Sequence, residues 1–226
     1  MIPDHISCLI QPQFDTPILS LIPSPKYTRF LCLSPISISI FSTEKSTDFL
    51  GTFSLSSSQI KEYKYFSSVV WVSEEFFACL SVVGVLLLFS VSFNGKISLK
   101  KIFTSNNGSI YTAIAAYKGF LIAGDDKGNL NFLSLESSNS INHHIHDVPF
   151  HSISTSVHHA LLLFNDHSVY QIELNIELFT KETKIQYKKL NLLGYHIIAN
   201  PIYEAGAIST LNDELYLTNL IILRKL

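Results

Sequence analysis

The sequence predicts an all-β domain of short strands, and three observations predict it. Apolar runs of four to eight residues recur from end to end, each followed by a segment that alternates polar and apolar. Gly, Asn, Asp, Ser or Pro separate most of the two. Helix-period stripes are nearly absent. Period-two alternation between turn residues is the pattern of strands with one face buried and one less so.

The first 35 residues hold six of the eight prolines: Pro3, Pro12, Pro17, Pro23, Pro25 and Pro35. Proline removes a backbone donor and blocks helix interiors, so this stretch must be extended segments and turns. Ser37 to Phe41 then alternates, with β-branched Ile at its apolar positions. Five pairs line up along the chain. Phe30–Leu33 turns at Ser34-Pro35 into Ser37–Phe41. Phe76–Val82 turns near Gly84 into Val85–Ser92. Gly119–Ala123 turns at Asp125 to Gly128 into Asn129–Leu135. His159–Phe164 turns at Asn165 to His167 into Ser168–Leu174. Gly206–Thr210 turns at Asn212-Asp213 into Glu214–Leu217. Gly, Asn and Asp suit such turns because they tolerate positive φ or bond their own backbone.

With turns near 35, 84, 127, 166 and 213, the spacings are 49, 43, 39 and 47 residues. A period near 44 lies in the range of four-stranded propeller blades. The sequence therefore predicts one β-propeller domain over 1–226, of about five four-stranded blades, at about 1–55, 65–105, 108–148, 149–190 and 191–226. Two short helical signals interrupt it. Ser56 and Gln59 form a capping-box pattern ahead of at most two turns. Asn175 to Leu190 has Glu177 four before Lys181, but no apolar stripe, so strand and loop fit it as well.

The segment from Gly119 to Leu135, with its small residue, Asp125-Asp126-Lys127-Gly128 turn and closing strand, resembles the middle of a WD-repeat blade. Leu133-Ser134 stands where the family places Trp-Asp. Val69 to Val72 and Ile18 to Leu21 resemble the family's innermost strands. No Gly-His and no Trp-Asp occur, so the family's bracing His/Asp network transfers to no residue here. The family usually has seven blades, whereas this length fits five. The resemblance implies a reduced propeller, or an open one that a partner closes with a blade of its own. It also implies a non-catalytic scaffold, a protein-interaction subunit of a larger intracellular complex in the cytoplasm or nucleus. Nuclear-pore and vesicle-coat scaffolds, ubiquitin-ligase adaptors and RNA-processing complexes use such subunits.

Composition narrows the function classes. Charged residues are 15% of the chain and the net charge is −2. That charge gives no footprint for direct nucleic-acid binding, which calls for a basic face. Fifteen per cent is also low against about 25% for ordinary domains, which implies partner-covered surface or a membrane segment. Phe76 to Phe93 is 18 residues without a charge, at the lower edge of a bilayer span. The rival reading is two strands covered on both faces, turning at Gly84. Three scattered cysteines, Cys8, Cys32 and Cys79, form no CxxC and suggest neither a disulfide framework nor a zinc site. The N-terminus lacks a basic n-region and a long apolar core. The sequon Asn107-Gly108-Ser109 reads as a turn.

Seven of the nine histidines fall between His143 and His167. His144 and His146 would share one face of a strand. With His151 they are the candidate ligands for a divalent metal of the zinc, copper or nickel kind. The competing reading is a polar loop, Ser137 to Pro149, that happens to use His. No cofactor motif appears: GxSxG, GxGxxG and the P-loop are all missing. Asp125, Asp126, Asp213 and Glu214 read as turn residues. A glycoside-hydrolase-like enzyme on a five-bladed propeller is the catalytic alternative, and it needs two carboxylates meeting in the central channel.

Overall fold

A computed structural model of the protein describes residues 16–43, 48–105, 108–135, 140–179, 184–200, 202–218 and 223–225. Cys8, Pro3, Pro12, Asn107 and Ser137 lie outside them. The strands are antiparallel and follow chain order within each sheet. The first sheet is β1 (Ser20–Pro23), β2 (Arg29–Leu33), β3 (Ser37–Ser42) and β4 (Phe49–Ser54). Helix α1 (Ser57–Tyr63) follows, with both halves of the Ser56/Gln59 capping box formed. The second sheet is β5 (Phe66–Trp71), β6 (Phe76–Ser81), β7 (Leu86–Val91) and β8 (Ile97–Phe103). The third is β9 (Tyr111–Tyr117), β10 (Phe120–Asp125), β11 (Asn129–Leu133) and β12 (Ser140–His144). The fourth begins with β13 (Phe150–Thr155), β14 (His159–Phe164) and β15 (Ser168–Glu173). It continues through a 3-10 turn, Ile176–Phe179, into β16 (Tyr187–Ala199). β17 (Gly206–Thr210), β18 (Leu215–Thr218) and β19 (Leu223–Lys225) complete the chain.

Successive sheets stack as propeller blades. Their innermost strands β1, β5, β9 and β13 border a shared central channel. Each of the five hairpins expected from the sequence forms: β2–β3, β6–β7, β10–β11, β14–β15 and β17–β18. The fifth unit is not a separate sheet. The 13-residue strand β16 pairs with β15 through Tyr187 to Leu193, then with β17 through Gly194 to Ala199. It is the outer strand of blade four and the inner strand of the last unit, so β13 to β19 form one seven-stranded sheet that curls back. Gly194 stands at the crossover, where an added Cβ would lie 2.5 Å from the Val169 side chain. The curl brings the Ala199 N–H to the Ser154 hydroxyl of β13 at 2.8 Å. It also buries Ile208 against Leu161, Leu163 and Val169.

The apolar run Phe76–Phe93 is explained by double coverage. Phe77, Cys79, Leu87 and Phe89 pack toward blade one, with Leu31, Leu33, Ile38 and Ile40. Ala78, Leu80, Leu86 and Leu88 pack toward blade three, with Tyr111, Leu121 and Ala123. Because side chains alternate between faces, a strand covered on both sides has no polar position left. The run is therefore β6 and β7, with Gly84 turning between them at φ 76°. Among the described residues no helix is long and apolar enough to cross a membrane. The single-span reading of this segment is corrected on that ground.

One local expectation also changes, and one open alternative is decided for strand and loop. The polar stretch taken as a loop from Ser137 to Pro149 contains β12, whose residues 140–144 pair with β11. Asn175 onward is a 3-10 turn followed by β16, with no α-helix among its described residues.

Candidate functional site

Each hairpin turn carries a polar side chain at a corresponding place, and it accepts from the backbone that starts the next strand. Ser34 Oγ accepts from the Ser37 N–H at 3.0 Å. Ser81 Oγ accepts from Val85 at 3.0 Å. Asp125 Oδ1 accepts from Asn129 at 2.8 Å and Lys127 at 3.0 Å. Asp166 Oδ1 accepts from Ser168 at 3.0 Å. Thr210 Oγ1 accepts from Glu214 at 3.3 Å. Such turns leave backbone donors unpaired, and a short acceptor satisfies them.

In blades three and four the turn acid also reaches the segment that enters the blade's inner strand. Ser109, just before β9, donates to Asp125 Oδ2 at 3.0 Å. His146, between β12 and β13, places Nε2 2.9 Å from Asp166 Oδ2, while the Ser168 hydroxyl donates to Oδ1 at 2.6 Å. A His–Asp–Ser brace therefore exists in blade four, although the sequence pattern had assigned that network to no residue. Burial pulls the Asp166 carboxyl upward. Its hydrogen bonds from Ser168 and His146, and the nearby imidazole, outweigh that and bring it down to about 2. Burial, with help from the Asp125 charge, pushes the Tyr111 phenol up to about 12.

The three candidate metal ligands go to separate places. His144 lies between Asn129 Oδ1 and Asp147 Oδ1, each at 3.0 Å, and is half exposed. His146 points toward Asp166 and rests on the Phe164 and Tyr170 rings. β12 ends at His144, so the two do not share a strand face as expected. His151, on β13, borders a shallow groove with Ser67, Ser68 and Thr112. Among the described residues no three His, Cys, Asp or Glu side chains gather in metal-binding proximity. A further histidine pairs with a carboxylate distant in sequence. His159 Nδ1 lies 2.7 Å from Glu204 Oε2, which also accepts from Ser156 at 3.1 Å. Forty-five residues and two strands separate the partners, so no local motif marks them.

The central channel holds a cavity of about 500 Å³ bordered by Ile22, Trp71, Ile114, Ile153, Ala199 and Ile202, among others. The Trp71 indole N–H is spent on the Ile22 carbonyl at 3.0 Å. No carboxylate borders this cavity among the described residues. The acid pair that the catalytic alternative needs is not assembled there.

Among the described residues the ring does not close on itself. Blade two packs on blade one, blade three on two and blade four on three, but no described strand of blade one packs comparably on β16 to β19. Both ends carry apolar residues. Leu19 and Leu21 of the first unit are 48% and 61% exposed. Ile198, Leu215 and Leu217 of the last are 65%, 45% and 43% exposed.

No family model and no curated protein matches the sequence. Among solved structures, the chain is similar to the β-propeller domain of Cps50 (Swd1) from Myceliophteria thermophila. The TM-score is 0.72 over 92% of this chain and 72% of that one, at 15% sequence identity. The chain folds as a β-propeller. At 15% identity the likeness carries the fold. The propeller reading of the sequence thus stands, as a reduced or open propeller, with the fifth unit sharing a strand with the fourth.

Proposed function

We propose that this propeller is a non-catalytic scaffold, a protein-interaction subunit of a larger intracellular assembly in the cytoplasm or nucleus. The observation that carries the reading is the apolar residues exposed at both ends of a ring that the described strands do not close. Monomeric soluble proteins rarely expose contiguous apolar patches of more than a few hundred Å², and larger ones mark contact with other proteins. The partners are other protein subunits. A net charge of −2 and short, mixed lysine groups give no stripe suited to nucleic acid.

The test is purification of the tagged full chain from its own cells, with light scattering and mass spectrometry of what comes with it. The expected result is stoichiometric recovery of other polypeptides, and aggregation when the chain is expressed alone. A stable, monodisperse monomer with nothing bound would refute the scaffold reading.

A further inference from the structure

Three of the inner strands carry a bulge at the same place. The pairing of β5 with β6 skips Ser67, that of β9 with β10 skips Thr112, and that of β13 with β14 skips His151. A bulge leaves its extra residue out of the ladder and re-aims the side chain, and bulges concentrate next to functional sites. Here all three extra residues border one groove of about 260 Å³, with Ser68 and Ser152 beside them. The Ser67 and Thr112 hydroxyls donate to the Leu80 and Gly124 carbonyls of their own blades, at 3.1 and 3.4 Å. Among the described residues, the side chains of Ser68, Ser152 and His151 make no hydrogen bond.

The groove adjoins the central cavity of about 500 Å³, because Ile114 and Ile153 border both. The cavity is the groove's opposite in character. Val70, Ile114, Ala116 and Ile153 line it, and three of its polar side chains are already engaged. Trp71 holds the Ile22 carbonyl, Ser154 accepts from the Ala199 N–H at 2.8 Å, and Thr155 donates to the Ala116 carbonyl at 2.7 Å. An extended peptide would carry backbone N–H and C=O groups past this wall, and each of them needs a partner. An alkyl chain needs none. From Thr112 in the groove to Ala116 in the cavity is about 13 Å along β9, which an extended alkyl chain of about ten carbons covers. Among the described residues, no Asp, Glu, Lys or Arg borders either space. The one side chain beside the groove that can carry charge is the His151 imidazole, a cation when protonated. Apolar walls with a few placed polar groups are the usual make-up of a small-molecule site.

We propose that the channel binds a single-chain amphiphile with an anionic head, a medium-chain carboxylate. Its alkyl chain lies along Val70, Ile114 and Ile153 toward Trp71. Its carboxylate accepts from the Ser68 and Ser152 hydroxyls and from His151. This binding activity is additional to the scaffold role and does not rest on it.

The experiment uses the tagged full chain as purified from its own cells, alone or with the polypeptides that accompany it. Decanoate carrying a diazirine on its alkyl chain is photolysed with it, and the labelled residues are mapped by mass spectrometry. Label should fall on residues 69–71, 114–116 and 153. Plain decanoate should compete for it. Octanoate should compete about fifteenfold less well, since each buried methylene is worth roughly fourfold in affinity. Decyltrimethylammonium, of equal chain length and opposite charge, should compete at least tenfold less well than decanoate. His151→Ala, at an exposed position, should lower labelling at least fivefold with its circular dichroism unchanged. Ala116→Phe, which fills the cavity, should abolish labelling; if that variant does not fold, His151→Ala decides alone. No label, label on the outer face at Ile198 or Leu217, equal competition by the cationic amphiphile, or labelling unchanged in His151→Ala would each overturn the proposal.

Discussion

Asp125 and Asp126 are neighbours in one turn, and the structure gives them unequal weight. Asp125 is 1% exposed. It accepts from the Lys127 and Asn129 N–H groups, the Asn129 amide and the Ser109 hydroxyl, all at 2.8–3.2 Å. Asp126 is partly exposed and accepts from the Ile110 N–H at 2.9 Å. Asp125→Ala strands several donors in a site that water does not enter freely. Hydrogen bonds to a charged group contribute about 1.5–3 kcal/mol each and do not add in full, so the expected loss is roughly 3–5 kcal/mol. For a chain of this size that is a fall in Tm of roughly 6–20 °C. Asp126→Ala exposes its donor to water and should cost about 0.5–1 kcal/mol, or roughly 1–4 °C. Thermal unfolding followed by circular dichroism compares the two variants directly. Removing the Asp125 charge should also lower the Tyr111 pKa from about 12 while burial keeps it above its ordinary value, which a phenolate absorbance titration reads. Equal Tm shifts for the two alanine variants would refute the claim that Asp125 braces the blade.

Three further outcomes follow from the same structure. The Asp166 carboxyl sits at about 2 in the folded chain, below its ordinary 3.8, so its brace contributes above pH 4 and is lost as pH falls toward 2; in Asp166→Asn the fall of Tm over that window should be shallower. Gly128 holds φ 74°, and a Cβ there would lie 1.4 Å from the His146 carbonyl oxygen, whereas Gly119 at φ 85° has nothing within 4 Å. Gly128→Ala should abolish the cooperative transition, and Gly119→Ala should cost only the left-handed strain of about 1–2 kcal/mol. Phe89 is fully buried among Phe53, Phe66 and Phe77, so Phe89→Ala should cost roughly 3–5 kcal/mol by thermal or denaturant unfolding.

What could be read from the sequence was what alternation and turn chemistry encode locally. All five central hairpins were legible because an apolar strand, a turn and an alternating strand lie within about twenty residues of one another. β12 was not, because the described outer strand is mostly uncovered and its Ser140-Ile-Asn-His-His sequence shows no apolar face. β16 was hidden for a related reason. Its first half, Tyr187 to Leu190, carries two lysines, and its change of partner at Gly194 is a tertiary event. The brace from His146 to Asp166 spans a blade junction, and the residue before the histidine is Ile145 in place of the family's glycine. The histidines drew attention as metal ligands because density was all the sequence offered. The structure gives His146, His159 and His167 separate partners at the junctions of blade four, namely Asp166, Glu204 and the Gly194 carbonyl.

The shortage of charge had two explanations at the outset, a membrane segment or covered surface. Packing of β6 and β7 between two blades accounts for the longest apolar run without a membrane. It does not account for Ile198, Leu215 and Leu217, which sit on a face that nothing in the described chain covers. If those residues were inner packing, Glu at 198 and 217 would lower stability by several kcal/mol, as a buried unpaired charge does. If they are a contact face, the same substitutions would leave Tm within the narrow range of surface changes, about 0.5 kcal/mol either way, and would remove the partner. Stability and assembly should therefore separate in this one variant, and that separation distinguishes a face kept apolar for another chain from one that folding of this chain requires.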